Sequence, residues 1–162
     1  MIRLTRISDY GIVLMTQLAA SGGHAPPRNA RQVATAARLP LPVVRKILKV
    51  LTREGLLASH RGSKGGYCLA RSPEQISAAE MISALDGPIG LTECAVHPGQ
   101  CEQEPSCHVR EPWKRINAVV HNALSSVTLA DLARPALANA ALHSDAISLS
   151  SLGLHAPEHA EP

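Results

Sequence analysis

Residues 56–71 read LLASHRGSKGGYCLAR, and this stretch decides the fold. Two short runs, 56–61 and 67–71, have the composition of β-strands, and the glycine-rich segment 62–66 lies between them. This pattern predicts a β-hairpin. Its glycines permit a tight turn and close backbone approach. The hairpin would carry Arg61 at its root and Lys64 at its tip.

The residues before the hairpin predict a helix-turn-helix. Leu39-Pro40-Leu41-Pro42 is a turn, and Pro42 is tolerated in the first turn of the helix that follows. We expect that helix to run to about Glu54 and to stop at Gly55, because glycine readily takes the left-handed cap conformation. Its apolar stripe is Val44, Ile47, Leu48 and Leu51.

Two shorter helices are predicted upstream. Ser8 is expected to cap a first helix that begins at Asp9, and a second helix surrounds Val33 and Ala37. A helix-turn-helix followed by a basic-tipped hairpin is a winged helix. In that fold the second helix of the motif enters the DNA major groove, and the wing contacts the backbone or the minor groove.

The charge distribution favours nucleic acid as the partner. Residues 1–75 hold twelve Lys or Arg and three Asp or Glu, for a net charge of +9, whereas residues 76–162 have a net charge of −6. An aromatic content of 2% without any Phe disfavours base stacking as the binding mode. The alternative is that the basic residues form an ordinary solvated surface. The basic hairpin that follows the basic helix makes this alternative less favoured. The candidate DNA-binding residues are Arg31, Arg45, Lys46, Lys49, Arg53, Arg61, Ser63 and Lys64.

Beyond the hairpin the pattern is helical again. Ser77 and Glu80 form a capping box for one helix, and Thr128 is expected to cap a last short one. Between them Pro112 opens a longer helix with an apolar stripe. A small winged-helix domain offers no partner that would bury this stripe. We therefore expect the helix to pair with its copy in a second subunit. The stripe consists of Trp113, taken as a core residue, Ile116, Val119 or Val120, Ala123, Leu124 and Val127.

The expected fold class is therefore mainly α with a small β-wing, a winged helix-turn-helix plus a long dimerisation helix. Residues 1–75 would form the DNA-binding domain, residues 76–134 a cysteine loop with dimerisation helices, and residues 135–162 a disordered tail. No run approaches the roughly 18 apolar residues that a membrane helix needs. The N-terminus does not resemble a signal peptide, so a cytoplasmic location is expected.

Three cysteines, Cys94, Cys101 and Cys107, lie within fourteen residues. Cytoplasmic thiols stay reduced, so this grouping indicates a metal or redox site before a disulfide framework. An iron–sulfur cluster is the favoured interpretation. The alternatives are a structural zinc site completed by His97 or His108, which the wide spacing mildly disfavours, and free thiols. Cys68 is remote in sequence and is interpreted as a small packed residue. No catalytic motif is visible, and an enzyme is not expected.

These motifs together resemble the iron–sulfur winged-helix transcription regulators of the IscR/NsrR family, from Met1 to about Arg134. The wing segment 61–69 carries most of the similarity, followed by the three cysteines and Trp113. Segments 85–89, 91–94 and 113–117 are most similar to the branch that regulates the SUF cluster-assembly operon.

The resemblance implies a homodimer on a palindromic DNA operator and a cluster of 2Fe–2S or 4Fe–4S type, whose state sets DNA affinity. One position departs from the family pattern. Arg110 stands three residues after the third cysteine, where the assembly repressor has a histidine ligand. A protonated Arg cannot be a ligand. The fourth ligand is therefore open between His108 and Asp9, with Asp9 of a partner subunit slightly favoured.

Overall fold

The protein is described by a computed structural model covering residues 4–20, 26–62 and 65–134. The tail expected at 135–162 lies outside these residues. The helices and strands in chain order are α1 (Arg6–Ala19), α2 (Ala30–Ala37), α3 (Leu41–Arg53), β1 (Leu57–His60), β2 (Gly66–Leu69), α4 (Ala78–Asp86), α5 (Glu93–Val96), α6 (Arg110–Ser126) and α7 (Leu129–Ala133).

Side-chain caps fix the starts of several helices. The Thr5 hydroxyl accepts a hydrogen bond from the Ser8 N–H at 3.3 Å, so α1 begins at Arg6. The prediction that Ser8 caps a helix starting at Asp9 is wrong, because Ser8 lies within the first turn and is buried. The predicted capping box of α4 is confirmed.

Helix α3 follows its predicted limits. Pro42 lies in its first turn, and the helix ends at Arg53, just before Gly55 with a φ of +75°. A left-handed residue at this place is the usual way for a chain to leave a helix. The connection between α2 and α3 contains a second left-handed residue, Arg38, with a φ of 54°.

Strands β1 and β2 form the antiparallel wing, with Leu57 opposite Leu69 and Ala58 opposite Cys68. Arg28 extends this sheet by one bridge, donating its N–H to the Tyr67 carbonyl at 3.0 Å and accepting the Tyr67 N–H at 2.9 Å. A Cβ on Gly66 would collide with the Arg28 backbone, so this close approach requires glycine. The mainly helical fold with a small two-stranded wing agrees with the expected fold class.

One hydrophobic core joins the helix-turn-helix to the helices that follow it. Leu129 of α7 and Met81 of α4 are fully buried with residues of α1 and α3. The chain around α7 pairs with the segment before α4, where the Leu129 N–H donates to the Ile76 carbonyl at 2.7 Å. Residues on both sides of position 75 therefore share a single core. The fully buried apolar residues are Leu14, Met15, Val33, Val44, Ile47, Leu48, Leu51, Ile76, Met81 and Leu129.

Helix α6 contributes no residue to the buried core. It begins at Arg110, two residues before the predicted start, and none of its residues is buried. The expectation that Trp113 is a core residue is wrong for the single chain, because its side chain is 39% exposed. Ile116 and Val119 are exposed beside it. Within the described ranges, no helix has both the length and the apolar character of a membrane span.

Candidate DNA-binding surface and cysteine loop

The two faces of α3 separate apolar from basic side chains. Its apolar face, which includes Val44 and Leu48, is fully buried in the core. The predicted basic residues Arg45, Lys46, Lys49 and Arg53 are all exposed. Among the described residues, this group forms one ion pair, between Arg53 and the neighbouring Glu54 at 2.9 Å, and the pair is exposed to solvent. Because the core fixes the rotation of the helix, the basic face is held outward as a unit.

The remaining predicted DNA-binding residues flank this helix. Arg31 is exposed on α2, the first helix of the helix-turn-helix. Arg61 is exposed directly after β1. Ser63 and Lys64, predicted at the tip of the wing, lie outside the described residues. The structure thus places Arg31, Arg61 and the basic face of α3 on elements of one winged helix.

The three predicted ligand cysteines lie on the segment that joins α4 to α6. Cys94 is in α5, where its Sγ lies 3.3 Å from the Thr92 Oγ1. Cys101 and Cys107 flank a short 3₁₀ turn, Glu104–Ser106. All three thiols are free and half-buried. In the part of the chain that the structure covers, no three His, Cys, Asp or Glu side chains are arranged as a metal-ion site.

An ion pair inside this loop was missed by the sequence analysis. The Glu104 carboxylate, only 9% exposed, accepts a hydrogen bond from the Gly99 N–H at 2.6 Å and pairs with Arg110 at 2.6 Å. Cys101 lines the same pocket of about 410 Å³ as these three residues. Arg110 therefore binds the loop to the start of α6. Nothing in the six-residue spacing of Glu104 and Arg110 signals the pair, because it depends on the turn between them.

The beginning of the loop is also attached to two helices, α6 and α1. The Leu91 N–H donates to the Asn117 side chain of α6 at 3.1 Å. At the end of α4, Asp86 accepts the Thr5 hydroxyl at 2.5 Å and the Thr5 N–H at 3.2 Å. Partial burial raises the pKa of the Asp86 carboxyl, but the hydrogen bonds from the Thr5 hydroxyl and N–H outweigh that effect and hold the pKa below its ordinary value.

Helix α1 packs closely on α4. A Cβ on Gly11 would collide with the Leu85 side chain, so these helices meet at a glycine. The contact joins α4 directly to the first helix of the winged helix.

The two candidates for a fourth ligand are both exposed. Asp9 lies in the first turn of α1, and His108 follows Cys107 directly. Neither is brought into a three-residue metal site with the cysteines of its own chain among the described residues.

The fold and its outward basic helix define a winged-helix DNA-binding transcription regulator. A family model described as Rrf2, iron-dependent transcriptional regulator, matches residues 4–135. The chain belongs to the Rrf2 family. Its named relatives are transcription regulators, not enzymes.

Two relatives illustrate the range of the family. The transcriptional regulator CymR of Bacillus subtilis is 35% identical over 124 residues, covering 76% of this chain and 84% of CymR. IscR of Sodalis glossinidius is 28% identical over 130 residues, covering 80% of this chain and 78% of IscR.

Solved structures of CymR and IscR proteins are also similar to this chain. The structure of B. subtilis CymR, described as the global cysteine regulator, superposes with a TM-score of 0.65 at 32% identity and covers 82% of this chain and 97% of CymR. IscR of T. potens gives a TM-score of 0.60 at 26% identity and covers 93% of this chain and 96% of that protein. The resemblance inferred from the wing and the cysteines is thereby confirmed at the level of the family.

Proposed function

We propose that this regulator binds an operator in duplex DNA with α3 in the major groove and the wing against the adjacent backbone. The observation that carries this proposal is the opposition of the two faces of α3, with Val44, Ile47, Leu48 and Leu51 fully buried and Arg45, Lys46, Lys49 and Arg53 exposed. Cationic side chains on a rigid helix neutralise phosphates and position the helix, and contacts to base edges then give sequence specificity.

We further propose that Cys94, Cys101 and Cys107 hold an iron–sulfur cluster. Thiolates are the usual cluster ligands, and these three are free, half-buried and on one loop. The donor types therefore fit the group. A bound cluster would supply a link among the three thiols. We keep Asp9 of a second subunit as the favoured fourth ligand and His108 as the alternative.

The chain itself provides a route from this loop to DNA. Asp86, just before the loop, is bonded to Thr5 at the start of α1, and Arg110, just after it, begins α6. We propose that a change in the loop shifts α4, and that the Thr5–Asp86 bonds and the Gly11–Leu85 contact pass the shift to α1. In a homodimer joined through α6, such a shift alters the separation of the two α3 helices, which must be about 34 Å for adjacent half-sites.

The proposed target genes are those for iron–sulfur cluster assembly of the SUF type. This part of the proposal rests on the resemblance of segments 85–89, 91–94 and 113–117 to that branch. The corresponding proposed location of the regulator is the cytoplasm.

A second candidate is a winged-helix regulator with a structural zinc or a redox-thiol site. The redox-thiol version is favoured by the three free thiols and by the similarity to CymR, which is named a global cysteine regulator. In that case the loop cysteines would respond by oxidation without any cluster.

Anaerobic purification followed by visible absorption and by iron and sulfide analysis distinguishes these candidates. The proposal predicts a brown protein containing both iron and acid-labile sulfide. It predicts loss of colour when Cys94, Cys101 or Cys107 is changed singly to Ala, and retention in the matched control Cys68→Ala. A colourless protein with one zinc per chain, or with neither metal, would support the second candidate. Equal loss of colour in Cys68→Ala would show that the ligand set is wrong.

A further inference from the structure

The outward side of the wing holds a thiol and an imidazole in contact. Cys68 of β2 and His60 of β1 lie diagonally across the antiparallel pair, since Cys68 is opposite Ala58 and His60 is opposite Gly66. The Cys68 Sγ lies 3.4 Å from the His60 Nε2. Neither residue belongs to the basic face of α3 or to the cysteine loop, and the sequence alone predicts Cys68 to be a small packed residue.

The alternation of side chains along the strands places this pair away from the core. Leu57 is 2% exposed, and its cross-strand partner Leu69 packs against the hydrophobic core. Successive residues of a strand point to opposite faces, so Cys68 and His60 take the outer face. Cys68 is half-buried, and His60 is exposed. The thiol is therefore supported by the sheet and open to small solutes.

We propose that Cys68 is a peroxide-reactive thiol and that His60 is its proton acceptor. A thiolate is the reactive form of cysteine, and a neighbouring base within hydrogen-bond reach is the usual means of forming it. His60 is such a base in direct contact with the sulfur. The other described contact of the sulfur is a weak one to the Ala58 carbonyl at 4.0 Å, which stabilises the thiol without removing its proton.

Hydrogen peroxide is the oxidant in the proposed reaction. His60 takes the proton of the Cys68 thiol, and the sulfur attacks one peroxide oxygen. An S–O bond forms and the O–O bond breaks. The sulfur is oxidised by two electrons to a sulfenic acid, and the peroxide is reduced. The departing hydroxide takes the proton from His60 and leaves as water, so the imidazole is regenerated.

The reactivity of Cys68 does not depend on the proposed function. Its protection by bound DNA does rest on that function. The wing is proposed to lie against the DNA backbone, and Arg61 follows the His60 strand directly. A bound duplex would then cover this face. DNA protection of Cys68 consequently tests the placement of the wing, whereas reactivity in the absence of DNA tests the site itself.

Peptide-resolved mass spectrometry of the full chain tests the site. Trypsin releases Cys68 alone in peptide 65–71 and all three loop cysteines in peptide 72–110, because no Lys or Arg lies between 72 and 109. Hydrogen peroxide with dimedone traps the sulfenic acid, and iodoacetamide measures the alkylation rate. His60→Gln keeps a polar group at the place of Nε2 but cannot accept the proton. Ser59→Ala is the matched control, on the same strand and the opposite face.

We expect His60→Gln to slow both labelling reactions of peptide 65–71 by about tenfold, below the hundredfold or more of optimised general bases. Ser59→Ala should leave the rates unchanged, and peptide 72–110 should react alike in all three proteins. Circular dichroism checks that each variant is folded. Wild-type rates in His60→Gln, or an equal decrease in Ser59→Ala, would overturn the proposal. Failure of duplex DNA to protect Cys68 would instead contradict the placement of the wing.

Discussion

Replacing Ile116 by Glu is expected to dissociate the proposed homodimer. Ile116 and Val119 form an exposed apolar strip on α6, with 46% and 48% of their surfaces accessible in the single chain. Val120 and Leu124, which the sequence also placed in this seam, are half-buried within their own subunit. Substitutions of Val120 or Leu124 would disturb the fold as well as the dimer, so Ile116 and Val119 are the sharper probes.

The magnitude follows from the exposed fractions. Fully burying an Ile or Val side chain is worth about 1.5–3 kcal/mol, so covering the remaining half contributes about 1 kcal/mol per side chain. A twofold interface uses each residue twice. Ile116→Ala should therefore weaken dimerisation by about 2 kcal/mol, which is about 30-fold in the dissociation constant. Glu adds the cost of burying an unpaired charge, several kcal/mol more.

Sedimentation equilibrium over a concentration series measures this effect. Ala118→Glu is the control, because Ala118 lies two residues away on the opposite side of α6 and is exposed. We expect Ile116→Glu and Val119→Glu to be monomeric and Ala118→Glu to dimerise like the wild type. Intact dimers in both strip variants, or a monomeric wild-type protein, would refute the assignment of α6 as the dimer helix.

Four further predictions concern DNA, the loop and, in two cases, the fold. Lys49→Ala should weaken duplex binding and lower the magnitude of the slope of log affinity against log salt by about one. Fluorescence anisotropy measures both, and an unchanged slope would show that Lys49 does not contact a phosphate. Asp9→Ala should reduce both cluster retention and DNA affinity, whereas His108→Ala should change neither, and the reverse would make His108 the ligand. Ser77→Ala should lower the free energy of unfolding by about 1 kcal/mol. The Ser77 backbone hydrogen bond is the main cause that holds the pKa of Glu80 below its ordinary value of 4.5, so the contribution of the Glu80 carboxylate is complete above pH 4.5 and is lost as the pH falls through the lower folded-state pKa. Urea unfolding should accordingly show a smaller gap between wild type and Glu80→Gln in acid than at neutral pH, and a constant gap would argue against this linkage.

Much of the DNA-binding module was predictable because its signals are local. Helix α3 was predicted from its apolar stripe, from Pro42 in its first turn and from Gly55 after its last turn. Each of these signals depends only on residues nearby in the sequence. The capping box of Ser77 and Glu80 is equally local. The error at Ser8 shows where local signals are insufficient. Both Thr5 and Ser8 have the hydroxyl that caps a helix, and burial against the core, a tertiary effect, decides between them.

The cysteine loop was predictable in composition but not in arrangement. The sequence places three thiols close together along the chain, yet it has no periodicity from which their positions in space follow. The Glu104–Arg110 pair shows why, because it depends on a short 3₁₀ turn and on the approach of the Gly99 N–H. The contact between Cys68 and His60 was missed for a related reason, since it requires the register of the hairpin rather than its existence.

The central claim is that the state of the cysteine loop sets DNA affinity. Its most direct test is a genome-wide selection of bound DNA fragments with anaerobically prepared cluster-loaded protein and with apo protein from the same batch, followed by affinity measurements on the enriched sites. The account predicts at least one class of site, upstream of cluster-assembly genes, for which the two forms differ by about tenfold or more, equivalent to about 1.4 kcal/mol. Equal affinity of the two forms at every enriched site would contradict it, because a ligand without differential affinity for two states cannot shift the equilibrium between them.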